Sequence, residues 1–363
     1  MDGFLDCFGD VPDPRAANAR HEFGEVLFIA LSALLCGAQG CCDMADFARA
    51  KQGLLGTVLK LPHGPPSHDT FSRLFRHLDP QAFEAAFARF TRAFARAHAK
   101  PLEGVVALDG KALRGAYLRG RKATPLHLVN VWAAEARLTL GQRLAPGRNE
   151  VAGVLEALAL LDLDGCTVTA DALHCRVDTA AAILARGGDY ALALKANQPR
   201  LLAAAEALLD AGQGADHAVQ GPTRAHDRLE TRVATVVPAP ALARTHGFPG
   251  LVAIARVESR RRADDAPHVR VFALSRRMGA AEALRVARTH WHIENRLHWQ
   301  LDVALDEDRC RSRKDHGPQN LALLRKLALN LLQTHPQKAS IPRKIKRAAW
   351  DEAFLTELLA QMR

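Results

Sequence analysis

The stretch HWHIENRLHW, residues 290–299, gathers histidine and tryptophan rings around one glutamate in a chain whose aromatic content is only 6%. At helical spacing His290, Glu294 and His298 fall at i, i+4 and i+8 and project from one face, with Ile293, Leu297 and Leu301 as an adjacent apolar stripe. The acid is therefore expected beside a core. Two further acids stand where structural roles are hard to supply: Asp109 ends the apolar run VVALD, and Asp171 lies within VTADALHC. A carboxylate at the carboxyl end of a buried strand faces the crevice above the sheet, where α/β folds hold ligands. Three converging carboxylates would repel one another unless cations held them, which implies Mg²⁺ or Mn²⁺ on hard oxygen ligands. Two such ions about 4 Å apart can activate a water or a sugar hydroxyl and stabilise the leaving oxygen of a phosphodiester. Plainer roles are a turn at Asp109-Gly110, a helix cap at Asp171, and a pair between Glu294 and Arg288 or Arg296. A zinc site on His290, Glu294 and His298 is a rival, but H-E-x-x-H is absent and the three ligands would spread over about 12 Å of helix.

The elements that must position these acids follow from the rest of the chain. With 363 residues and 48% hydrophobic content it can bury a sizeable core and form two or three domains. The longest apolar run, 26–38, has 13 residues, short of the roughly 18 of a spanning helix, and is read as a core helix of a cytoplasmic protein without membrane partners. Seven cysteines with no C-x-x-C pair suit reduced thiols. The first hundred residues read as helices, at about 22–37, 43–56 and 67–78; the last is capped by Ser67 and carries Arg73 and Arg76, so it could enter a DNA groove or simply pack. From Gly104 three consecutive strands are predicted at 105–109, 126–134 and 138–145, then a helix at 149–163, a strand at 166–173, a helix from Val177 and a strand at 189–195. That order points to a mixed α/β sheet flanked by helices. Between about 199 and 277, three strand candidates after a helix suggest a β-rich insertion. One long helix from Ala281, a second at about 317–334 and a basic tail at 336–363 close the chain.

Charge points to the partner. The formal net charge is +10, and Arg309–Arg347 holds eleven bases against one acid, Asp315. Such a surplus suits a polyanion.

LDGKALRGA (108–116), VTADALHCR (168–176), ALKANQ (193–198), HDRLETR (226–232) and HWHIENRLHWQLDVALDEDRCRSR (290–313) together resemble the signatures of insertion-sequence DDE transposases of the H-repeat-associated group, over most of the chain. The resemblance implies an RNase H-like catalytic core at 101–335, interrupted by the β insertion, and an amino-terminal helical transposase-associated domain at 1–100. It implies Asp109, Asp171 and Glu294 as the catalytic and metal-binding triad, holding two Mg²⁺ or Mn²⁺ ions. By that mechanism the enzyme cuts DNA at the element's ends, and the freed 3′-OH attacks target DNA. Lys111, Arg114, Lys195 and Asn197 are then expected to hold phosphates, Arg309, Arg311, Arg313 and Lys314 to track the backbone, and Arg296 and His298 to touch DNA beside the cut. Trp291, His298 and Trp299 are expected to pack the helix or stack on an unpaired base, with core packing the plainer role for the tryptophans. Double-stranded DNA, meaning terminal repeats and target, is the implied partner, in a homodimer or larger synapse close to the nucleoid. Many related transposases carry a tyrosine, an arginine and a lysine where this chain has Ala287, His290 and Leu301. A catalytically silent DNA-binding relic is the alternative reading.

Overall fold

The structure, a computed structural model, describes residues 2–100, 102–117, 125–145, 147, 149–225, 228–260 and 265–362. Six helices come first: α1 (Asp2–Phe8), α2 (Phe23–Leu35), α3 (Cys41–Ala50), α4 (Gln52–Leu55), α5 (His68–His77) and α6 (Pro80–Ala97). The apolar run of α2 is buried from Val26 to Leu35, as expected of a core helix. Among the described residues no helix is long and apolar enough to cross a membrane. Phe4 and Phe8 of α1 pack against Phe90 of α6, and Phe4 also meets Phe28 of α2, so aromatic contacts tie these helices together. The Ser67 hydroxyl accepts from the Thr70 backbone N–H and starts α5, which buries Phe71, Leu74 and Phe75.

β1 (Gly104–Tyr117), β2 (Pro125–Ala133) and β3 (Leu138–Leu144) follow, then α7 (Glu150–Ala159), β4 (Cys166–Ala170), α8 (Val177–Leu184), β5 (Asp189–Leu194) and α9 (Pro199–Ala211). Next come β6 (Asp216–Ala225), β7 (Arg228–Pro238), α10 (Pro240–His246), β8 (Ala253–Arg260) and β9 (His268–Leu274). The described strands form one nine-stranded mixed sheet in the order β3-β2-β1-β4-β5-β9-β8-β7-β6. β1 is antiparallel to β2 and parallel to β4, β4 is parallel to β5, and β5 is antiparallel to β9. The strands expected as a β-rich insertion extend the same sheet through β9. β6 was not anticipated, because Gly221-Pro222 breaks its run.

After β9 come α11 (Ala280–His290), a π-helical turn at Ile293–His298, α12 (Trp299–Val303), a single turn at Glu307–Arg309, α13 (Gly317–Thr334), α14 (Ile341–Trp350) and α15 (Glu352–Ala360). The long helix expected from Ala281 is therefore broken. α11 packs on β1 and β4, α7 on β2 and β3, and α13 on β3, α2, α5 and α6. Residues beyond 336, expected as a tail, form α14 and α15, which pack on α2 and α13. The reason lies in their apolar faces: Ile341, Ile345, Phe354, Leu355 and Leu358 are buried.

Candidate active site

Asp109 and Asp171 are brought together by strand register. Leu108 pairs with Ala170 across the parallel β1-β4 ladder, so the next residue along each segment is one of the two acids. Asp109 lies within β1 and not at its carboxyl end as the apolar run suggested, because the strand continues to Tyr117; Asp171 directly follows β4, and its carboxylate accepts from the Leu173 N–H at 3.1 Å and caps the single turn Ala172–His174. The capping role considered for Asp171 is thus real, and it leaves the second carboxylate oxygen for other partners. The side chain of Asn197 donates to the carbonyls of Ala172, at 2.5 Å, and Cys175. It is a latch on the Asp171 turn, which spends the amide that was expected on phosphate.

Glu294 arrives from the other side of the chain on the π-turn. His290, before the turn, meets Thr169 of β4 at 3.1 Å through Nδ1. His298, at its end, faces Asp109 Oδ2 at 3.4 Å through Nδ1 and accepts from Asn130 Nδ2 at 3.2 Å on Nε2. The two histidines pin the turn across β4 and β1, with Glu294 between the pins. Burial holds His290 neutral, with its pKa pushed down to about 4, and burial followed by the charge of Lys111 pushes His298 to about 3. Both rings are engaged within the fold, His298 with Asp109 and Asn130, and among the described residues no three His, Cys, Asp or Glu groups form the zinc site considered for His290, Glu294 and His298. Ile293, Leu297 and Leu301 are fully buried, as their spacing predicted. A π-turn inserts one residue per turn and commonly marks a functional site; here it moves Glu294 off the histidine row and leaves it exposed. Trp299 is 51% exposed and Trp291 37%, so neither is a core residue; the Arg270 guanidinium stacks on Trp291 at 4.3 Å.

Four neighbours of the site were not anticipated. Glu150, at the start of α7, lies 2.8 Å from His127 Nε2 and 3.7 Å from His174 Nε2. Its carboxylate fills the place a side chain would take at position 110, where a Cβ would collide with Glu150 Oε2. Because strand residues alternate faces, Glu150 sits on the sheet face opposite Asp109 and braces the strand from behind. Arg270 of β9 is the fourth, the cation whose charge reaches Glu294. Only contacts across the fold select these residues.

The electrostatics are those of crowded acid. Burial, then the charges of Glu294 and of Asp171, push the Asp109 carboxyl up to about 7, against a smaller opposing effect of the Gly110 N–H. Burial also raises Glu294, partly offset by Arg270. Among the described residues no lysine or arginine forms an ion pair with Asp109, and its one charged-type contact is the neutral His298. Three carboxylates, of which Glu294 has a cation's charge acting on it, suit a divalent cation in kind. Among the described residues, however, no three His, Cys, Asp or Glu groups converge closely enough to hold one metal ion.

The residues expected on phosphate divide. Lys111 drops out: its side chain is 8% exposed and its Nζ lies 2.5 Å from Asp302 and 2.6 Å from Glu307. Arg114 and Arg309 are open, with side chains 83% and 84% exposed and only long contacts to Asp308 and Asp306. Lys195, Arg311 and Lys314 are exposed; Arg313 is exposed and donates to the Gly115 carbonyl at 2.9 Å. Arg296 is half-buried near Arg137. Of the basic run 309–347, Arg325, Lys326 and Lys344 are buried inside the helical layer, so they belong to no DNA surface.

A nine-stranded mixed sheet flanked by helices, with acids on β1, just after β4 and on a late helical turn, defines the fold class as mixed α/β. The family within that class follows from comparison. Residues 100–331 match the family model described as Transposase DDE domain, and residues 5–91 match the one described as DDE_Tnp_1-associated. The chain belongs to the transposase DDE-domain family. It is 29% identical to "H repeat-associated putative transposase YhhI" of Escherichia coli (strain K12), over 96% of each chain. It is 40% identical to an uncharacterized protein in the dhlA 3′ region of Xanthobacter autotrophicus, over 69% of this chain and 86% of that one. Among solved structures, a piggyBac transposase synaptic complex with hairpin DNA aligns over 98% of this chain and 77% of that chain, with TM-score 0.44 and 11% identity.

Proposed function

We propose that this protein cuts DNA at the ends of an insertion sequence and transfers the freed 3′-OH to target DNA, with Asp109, Asp171 and Glu294 as its catalytic acids. The observation that carries the reading is the adjacency of Asp109 and Asp171 in register, with Glu294 pinned across the same two strands by His290 and His298. The antiparallel β1-β2-β3 followed by parallel β4 and β5 supports an RNase H-like core within 101–335. Bound Mg²⁺ or Mn²⁺, two ions in this reading, would be held by the three carboxylates and would supply charge neutralisation and activation of a water or sugar hydroxyl.

The chain's own residues do the rest. His298, neutral and fixed by Asn130, presents Nδ1–H to Asp109 and orients its carboxylate. Asn197 holds the Asp171 turn. Arg114, Lys195, Arg309, Arg311, Arg313 and Lys314 take DNA phosphates, with Arg296 beside the cut. Helices α1 to α6 form the transposase-associated domain, and a homodimer or larger synapse joins two element ends.

The test is cleavage of a supercoiled plasmid carrying the element's ends in Mg²⁺, by wild type and by Asp109→Asn, Asp171→Asn and Glu294→Gln. The reading requires cutting at the ends by wild type and loss of cutting, with retained DNA binding, in all three variants. A wild type that binds the ends and never cuts is the silent relic.

A further inference from the structure

Lys111 follows Asp109 by two residues on β1 and so projects from the same sheet face. Its ammonium is surrounded by acids: Asp302 Oδ1 at 2.5 Å, Glu307 Oε2 at 2.6 Å and Asp308 Oδ1 at 3.8 Å. Asp302 belongs to α12, which continues directly from the π-turn that carries Glu294; Glu307 and Asp308 belong to the next single turn. Glu307 is itself buried and places its other oxygen 3.6 Å from Lys326 Nζ of α13. Lys326 in turn donates to Gln142 Oε1 of β3 at 2.9 Å. A Cβ at Gly115 would lie 2.5 Å from the Cys310 carbonyl oxygen and 2.6 Å from that of Asp308, so β1 and this segment touch backbone to backbone.

One ammonium shared by acids on both sides of the chain's next bend is more than a local ion pair needs. It ties the strand of Asp109 to the segment that fixes where the π-turn ends. Its donors are directed into this cluster, which leaves it turned away from any phosphate at the surface.

We propose that Lys111 is a positioning residue: through Asp302 and Glu307 it sets where the Glu294 turn stands relative to Asp109, and so the separation of the carboxylates that take a divalent cation. This inference rests on the reading of Asp109 and Glu294 as cation ligands.

The experiment measures Mn²⁺ binding by the full chain without DNA, from the electron paramagnetic resonance signal of free Mn²⁺. The proteins are wild type, Lys111→Met, Asp302→Asn and Asp109→Asn, with thermal unfolding and the salt dependence of binding to a 30-base-pair duplex recorded beside it. Lys111→Met and Asp302→Asn should weaken Mn²⁺ binding about tenfold or more, the usual effect of losing a group that supports metal ligands. The duplex salt slope should not change. Asp302→Asn removes only the outer, partly exposed partner and decides the matter if Lys111→Met does not fold. Wild-type Mn²⁺ binding in Lys111→Met and Asp302→Asn, with loss in Asp109→Asn, overturns the positioning role and leaves the metal reading standing. A salt slope lower by about one in Lys111→Met makes Lys111 a phosphate contact and also overturns it. Wild-type binding in Asp109→Asn removes the metal reading and this inference with it.

Discussion

Asp109→Asn keeps the shape of the side chain and removes its ionisation, so its effect on stability isolates the cost of charging a carboxyl among acids. That carboxyl is pushed from 3.8 up to about 7 in the folded protein, chiefly by burial and then by Glu294 and Asp171. Between those values the native state holds the proton and the unfolded chain does not. The native state therefore binds more protons, and stability falls as pH rises through the window. At 1.36 kcal/mol per unit, a shift of about 3 units makes the full cost ~4 kcal/mol, reached above pH 7 and absent below about pH 4. The side chain is 23% exposed, so this is an upper limit and about half of it is expected after solvent screening. Asparagine escapes the penalty. In urea unfolding with a chelator present, the advantage of Asp109→Asn over wild type should grow by about 1–3 kcal/mol between pH 5 and pH 8. Millimolar Mg²⁺ should then favour wild type alone. An advantage that does not change with pH, or that shrinks as pH rises, would refute the reasoning.

Other expectations are simpler. Gly115→Ala forces a Cβ against two backbone carbonyls that cannot rotate away, and should cost about 1–3 kcal/mol with faster hydrogen exchange at 307–310; an unchanged melting temperature would contradict the close approach. Trp132→Ala empties a fully buried site on β2 and should cost about 3–5 kcal/mol in denaturant unfolding. Arg309→Gln combined with Arg311→Gln, both exposed, should lower the slope of log affinity for duplex DNA against log salt by about two; an unchanged slope removes both from the interface.

Much of the architecture is legible in local pattern because strand and helix periods are local. The runs at 126–134 and 138–145 form β2 and β3 and the run at 105–109 forms the first part of β1, which continues to Tyr117, in antiparallel order, and the buried Ile293, Leu297 and Leu301 follow from spacing alone. The placement of Asp109 beside Asp171 follows from two apolar runs each leading into an acid, provided the strands are neighbours, although β1 continues beyond Asp109 to Tyr117. What the spacing hides is any property that depends on distant partners. Lys111 looks like a surface lysine behind an active-site acid until Asp302 and Glu307, nearly two hundred residues on, close over it. Arg325 and Lys326 look like part of a DNA-binding run, and they are buried because α13 packs on α2, α5, α6 and β3. The π-turn is invisible for another reason: the apolar stripe of HWHIENRLHWQL fits an uninterrupted helix, and only the pins at Thr169 and Asp109 reveal the extra residue. Glu150 is hidden because its partner at position 110 is the absence of a side chain.

In the proposed function Asp109, Asp171 and Glu294 take one set of divalent cations. Fe²⁺ substituted for Mg²⁺, with ascorbate and peroxide, cuts the polypeptide where the metal sits, and the fragment ends can be read by mass spectrometry. Cuts are expected close to residues 109, 171 and 294, abolished together by Asp109→Asn and competed by Mg²⁺. Cuts clustered elsewhere, or cuts at these three places that survive Asp109→Asn, would contradict it.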